Sequence, residues 1–111
     1  MKLKEVFLKE YKNSVRLNGI VEFKGDTIEL FFEYPEKYKD YVNVTADPFF
    51  PVLLLPSMMN GEDLEIIPEI SMQLYNNSCN IQDIFTNWYP DVFQRIEVVS
   101  TNHYQREKDI Q

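Results

Sequence analysis

The chain has 111 residues, enough for one hydrophobic core but not for a core with a substantial second lobe, and 44% hydrophobic with 14% aromatic content excludes the signature of disorder. Eleven Lys and Arg against eighteen Asp and Glu give a formal net charge of −7; residues 1–16 hold five cations against two acids, +3, which leaves −10 for the rest. That balance opposes a phosphate backbone over most of the surface, so no nucleic-acid partner is expected. One cysteine, Cys79, excludes an internal disulfide and the paired thiolates of a structural zinc site. MKLKEVFLKE alternates charge with apolar residues and has no continuous apolar stretch of signal-peptide type, so a cytoplasmic address is the expectation. The longest apolar run, Phe49 to Met59, is interrupted by Pro51, Pro56 and Ser57 and is well short of the roughly 20 residues of a spanning helix, so no membrane partner is expected.

In chain order, LKEVFLKE is a candidate edge strand, and a hairpin follows it. Val15, Leu17, Val21 and Phe23 share one face by a period of two, as do Ile28, Leu30, Phe32 and Tyr34. A two-residue Gly25-Asp26 loop sets Phe23 opposite Ile28, Val21 opposite Leu30, and Gly19 opposite Phe32, where the missing side chain leaves room for a ring. The same register puts Glu22 opposite Glu29 on a solvated outer face. Pro35 stops the second strand, and YPEKYKDY is read as a connector with at most one helical turn.

Asp47-Pro48 has the form of an N-cap followed by proline at the first helical position. Pro51 and Pro56 predict a kinked or two-part helix ending at Asn60-Gly61, and its apolar residues on nearly every side predict burial between other layers. Glu62-Asp63 turns into LEIIPEI, a strand closed or edged by Pro68. Ser71 is a candidate cap for a turn with Met72, Leu74 and Tyr75, and Asn80 with Asp83 for the helix IQDIFTNWYP. There Ile81, Ile84, Phe85 and Trp88 form one stripe, read as core. FQRIEVVS returns as a strand, and the tail 101–111 is polar.

Candidate chemistry is sparse. His103 stands 24 positions after Cys79, but no third group orients such a nucleophilic pair. Glu62, Asp63 and Glu65 carry the oxygen ligands that Mg²⁺ or Ca²⁺ takes, without the glycine-spaced loop of a calcium cage, so a solvated turn is the preferred reading. Asp47 is explained as a cap without catalysis. Gly19, Gly25 and Gly61 are too far apart for a phosphate-cradling loop. No catalytic residue, metal site or cofactor is expected.

The order of motifs carries more than any one of them. A hairpin ending in LFFEYPE, then DPFFPVLLLPSMMNGEDLEI, then IQDIFTNWYP and a last strand resembles the amino-terminal region of bacterial proteins that continue into a PP-loop ATP-pyrophosphatase domain related to 7-cyano-7-deazaguanine synthase. Asp47 and Phe49, Gly61-Glu62-Asp63, and Trp88 with Pro90 match that pattern, over roughly residues 14 to 100. These are packing and turn residues. The family's adenylation chemistry resides in a downstream Ser-Gly-Gly-x-Asp-Ser loop that this chain lacks, so the resemblance transfers no catalytic residue.

The expected architecture is one α+β domain, 1–111, with an ordered core at about 14–100: a small mixed or antiparallel sheet in the order β-β-α-β-α-β, with two helical segments packed on one face. The expected function is a non-catalytic accessory or interaction domain for a protein partner or downstream catalytic domain. Phe31, Tyr34, Tyr38 and Tyr41 are its candidate contacts, placed near the uncovered face. The alternative is an autonomous acidic small-molecule or metal-binding protein using Asp47, Glu62 and Asp63.

Overall fold

The computed structural model describes residues 1–100 and 102–104. Of the expected polar tail, Thr101 and residues 105–111 lie outside the described residues, as does the side chain of His103. The chain opens as an antiparallel meander, β1 (Lys2–Glu10), β2 (Ser14–Phe23) and β3 (Asp26–Pro35). The second turn is Lys24-Gly25, with φ of 51° and 85°. Two positive φ values in a two-residue loop match the right-handed strand twist, and glycine takes the second position without strain. The pairs are therefore Phe23 with Asp26, Val21 with Ile28, Gly19 with Leu30 and Leu17 with Phe32. The loop thus lies one residue earlier than the expected Gly25-Asp26, which shifts every pairing by two positions. Because the shift is even, each side chain keeps its face. Glu22 stands opposite Thr27 and Glu29 opposite Ile20, so the expected Glu22–Glu29 opposition does not form.

β1 is central, not an edge strand: the five-stranded sheet runs β3-β2-β1-β4-β6, with β4 (Leu64–Ile66) parallel to β1 and β6 (Val98–Ser100) parallel to β4. The core thus begins at Leu3, earlier than the expected residue 14. Between Leu3 and Glu5 the register with β2 shifts, which marks a bulge that leaves Lys4 outside the residue-to-residue pairing, although its Nζ lies 3.5 Å from Glu22 Oε2. The extra residue lets Leu3 share a face with Val6 and Leu8, although their numbers differ in parity. Pro68 interrupts LEIIPEI, and Ile70–Ser71 (β5) pairs separately with His103–Tyr104 (β7). FQRIEVVS is strand only over its last three residues.

Among the described residues three α-helices replace the expected two helical segments. The first, α1, spans Phe50–Asn60 and ends on Gly61 in the left-handed region (φ 66°), the predicted stop. Its start differs from expectation: Asp47, Pro48 and Phe49 form a preceding turn, and the amide nitrogens of Phe49 and Phe50 both donate to Ala46 O. Pro51 therefore falls in the first helical turn, where its missing N–H costs little. Phe50, Leu53, Leu54, Ser57 and Met58 are buried while Val52 and Met59 are exposed, so α1 is half-embedded and not enclosed between layers. Ser71 Oγ accepts from Leu74 N at 3.0 Å and caps α2 (Met72–Asn76), as predicted. α3 (Ser78–Trp88) starts ahead of Asn80, so Asn80 and Asp83 lie within it and do not cap it.

The core joins Leu3, Leu17 and Val21 of the sheet to Phe49 and the inner face of α1, with Leu74, Tyr75, Ile81 and Phe85 packed against it. All of these meet the same sheet face. Gly19 lies under this layer: a Cβ there would come within 2.9 Å of the Phe49 ring. The space predicted at Gly19 is real, but a helix-side ring fills it instead of the cross-strand Phe32. Among the described residues no helix is long and apolar enough to cross a membrane.

Candidate interaction site

Among the described residues the opposite sheet face has no helical layer. One cross-strand row there is Phe7 on β1, Asn18 on β2 and Phe31 on β3. Phe31 is 50% exposed in the middle of its strand. Asn18 is only 4% exposed, because its neighbours in the row cover it, and its Nδ2 donates to Glu29 Oε2 at 3.0 Å. Beside this row Arg16 lays its guanidinium 4.3 Å from the Phe31 ring centroid and 4.6 Å from that of Tyr11. Its Nε donates to Glu33 Oε1 at 2.7 Å, and this bond first, with the Glu33 charge, raises the guanidinium above its ordinary pKa. The result is an aromatic and arginine patch fixed on three adjacent strands.

The expected contacts divide between two surfaces. Phe31 is on the uncovered face, as expected. Tyr34 has the parity of Leu30 and Phe32 and packs half-buried against the core, a correction to its expected position. Tyr34 instead meets Tyr38 and Tyr41, carried by a 3₁₀ turn over Glu36–Tyr41, in a groove of about 370 Å³. Leu17, Val42, Thr45, Asp47 and Pro48 also line it. The turn is tied back by Lys39 Nζ, which donates to Glu10 Oε1 at 2.8 Å; that bond first, with the Glu10 charge, raises the Lys39 pKa.

The alternative trio is not brought together. Asp47 lies before α1, whereas Glu62 and Asp63 follow it; an 11-residue helix between them is about 16 Å long. Asp47 does not cap α1: its Oδ1 accepts from Ser71 N at 2.8 Å, which pins β5 and the start of α2. Asp63 Oδ1 accepts from Glu97 N at 3.0 Å, and Glu62 Oε2 is 3.6 Å from the Met1 amino nitrogen. Among the described residues no group of three or more His, Cys, Asp or Glu is placed to hold a metal ion. Cys79 is exposed on α3.

Two features escaped sequence reading. Arg16 was one cation among several, and only the Arg16–Glu33 and Asn18–Phe31 pairings reveal its stacking. The stripe on α3 also divides: Ile81 and Phe85 join the core, but Ile84 is 47% and Trp88 71% exposed. Helical spacing identified the stripe, while the helix's position at the rim decided how much of it is covered. No family model, curated protein or solved structure matches the chain.

Proposed function

We propose that this chain is a non-catalytic accessory domain that docks a protein partner on the uncovered face of its sheet. The partner implied by the LFFEYPE, GEDLEI and IQDIFTNWYP resemblance is a PP-loop ATP-pyrophosphatase-type domain. The observation that carries the reading is the half-exposed Phe31 with Arg16 stacked on it, central to a sheet face that no helix among the described residues covers. Aromatic and arginine side chains dominate binding energy at protein interfaces, and here both are already ordered before contact, which reduces the entropy lost on docking. Glu29 and Glu33 supply a polar rim.

The test is calorimetric titration against a PP-loop domain of the same organism. Phe31→Lys is expected to weaken binding about tenfold or more while leaving the melting temperature near that of the parent, because the ring is not part of the core. Binding unaffected by this change sinks the choice of face, and absence of binding sinks the choice of partner.

A further inference from the structure

Among the described residues β3 is the outermost strand on its side of the sheet, and it runs for ten residues. Long edge strands are usually guarded by lysine, an internal proline or a bulge. DTIELFFEYP has no lysine and no bulge against β2, and its proline is the last residue. Its two mid-strand carboxylates are turned toward β2: Arg16 holds Glu33, and Asn18 holds Glu29. The edge is therefore long, regular and poorly guarded.

The register shows which backbone groups face outward. A two-residue turn closes on a hydrogen-bonded pair, here Phe23 with Asp26, and in the same alternation Glu36 N donates to Asn13 O at 3.2 Å. Even-numbered residues of β3 are thus satisfied by β2, and Thr27, Glu29, Phe31 and Glu33 direct their N–H and C=O groups away from the sheet.

We propose that a second copy of this chain pairs with that edge, antiparallel, about a two-fold axis perpendicular to the sheet at Leu30. Keeping the two apolar inner faces on one side requires same-parity pairs. A two-fold at Glu29 opposes it to the partner's Glu29, and one at Phe31 opposes Glu29 to the partner's Glu33; both place like charges together. A two-fold at Phe32 avoids this but shortens the overlap and brings Pro35, which has no N–H, into a bonding position. With the axis at Leu30, residues 26–34 all pair. Glu29 faces the partner's Phe31, Glu33 faces the partner's Thr27, and Ile28, 44% exposed in one copy, faces the partner's Phe32. The Phe31 rings become diagonal neighbours. The two sheets join into one of ten strands. This assembly does not depend on the accessory-domain reading.

Sedimentation equilibrium of the full chain should show a concentration-dependent rise from 13.3 kDa toward twice that mass. Glu29→Pro removes one outward N–H and no backbone bond to β2, so it should hold the chain at monomer mass with its circular dichroism retained, whereas Glu29→Ala, which loses the same side-chain bond from Asn18 but keeps the N–H, should still dimerise. In a Cys79→Ser background, Leu30→Cys should oxidise to a covalent dimer, since a non-hydrogen-bonded antiparallel pair lies at about 4.5 Å between Cα atoms, within disulfide reach. Ile28→Cys and Phe32→Cys, each facing a different residue, should not. Monomer mass at every concentration overturns the proposal, as does a dimer that survives Glu29→Pro or cross-links at 28 or 32 in preference to 30. Glu29→Pro and Glu29→Ala remove the same rim carboxylate and differ in the outward N–H, so the difference between them reads self-association, while Phe31→Lys reads partner binding.

Discussion

Phe49→Ala is expected to lower the free energy of unfolding by about 3 to 5 kcal/mol, the range for deleting a buried aromatic side chain. Phe49 is fully buried, its ring centroid is 5.1 Å from that of Phe32, and it closes over the bare backbone of Gly19. It joins the connection before α1 to β2 and β3, so its removal opens a cavity between the layers. The complementary change, Gly19→Ala, places a methyl group 2.9 Å from a ring with little room to move and should cost about 1 to 3 kcal/mol as overpacking. In the double variant the methyl enters the vacated space, so the combined cost should be less than the sum. Urea denaturation of the four proteins measures this coupling. Additive costs would show that the ring and the glycine do not share that space.

The second large effect is expected at Leu54, also fully buried: Leu54→Ala should cost about 2 to 5 kcal/mol. Val52, two residues earlier on the same helix, is 47% exposed, and Val52→Ala should change stability by only about 0.5 kcal/mol. Denaturation midpoints compare the two. Equal effects would mean that α1 is enclosed on all sides, as its composition alone suggests; a Leu54→Ala midpoint equal to the parent's would mean that this helix face is not packed.

The contrast between Val52 and Leu54 shows why composition misleads in this segment. FPVLLLPSMMN is apolar at nearly every position, and only the position of the helix on the sheet separates its faces. The hairpin was legible because period-two alternation fixes its faces regardless of an even slip in register. The slip came from Lys24, which takes a left-handed conformation that a non-glycine residue seldom adopts, so the turn formed one residue earlier than glycine placement suggested. LKEVFLKE was legible as a strand, but its central place was not: its alternation breaks at Lys4, and its parallel partner Leu64–Ile66 lies some 60 residues away, beyond any local signal.

The candidate site was legible in part for the same reasons. Parity alone puts Phe31 on the face opposite Leu30 and Phe32, whereas the grouping of Tyr34, Tyr38 and Tyr41 with Asp47 depends on how the 3₁₀ turn folds back over β2. Asp47 and the Glu62-Asp63 pair looked like one acidic set because α1 between them contains no charge. Once that segment is helical it holds them apart.

The central claim is that this chain acts by binding and leaves catalysis to its partner. Pyrophosphate release by the purified chain, residues 1 to 111, with ATP, Mg²⁺ and a panel of carboxylic-acid substrates tests it most directly. The account predicts no release above the protein-free blank; robust turnover by the isolated chain would contradict it.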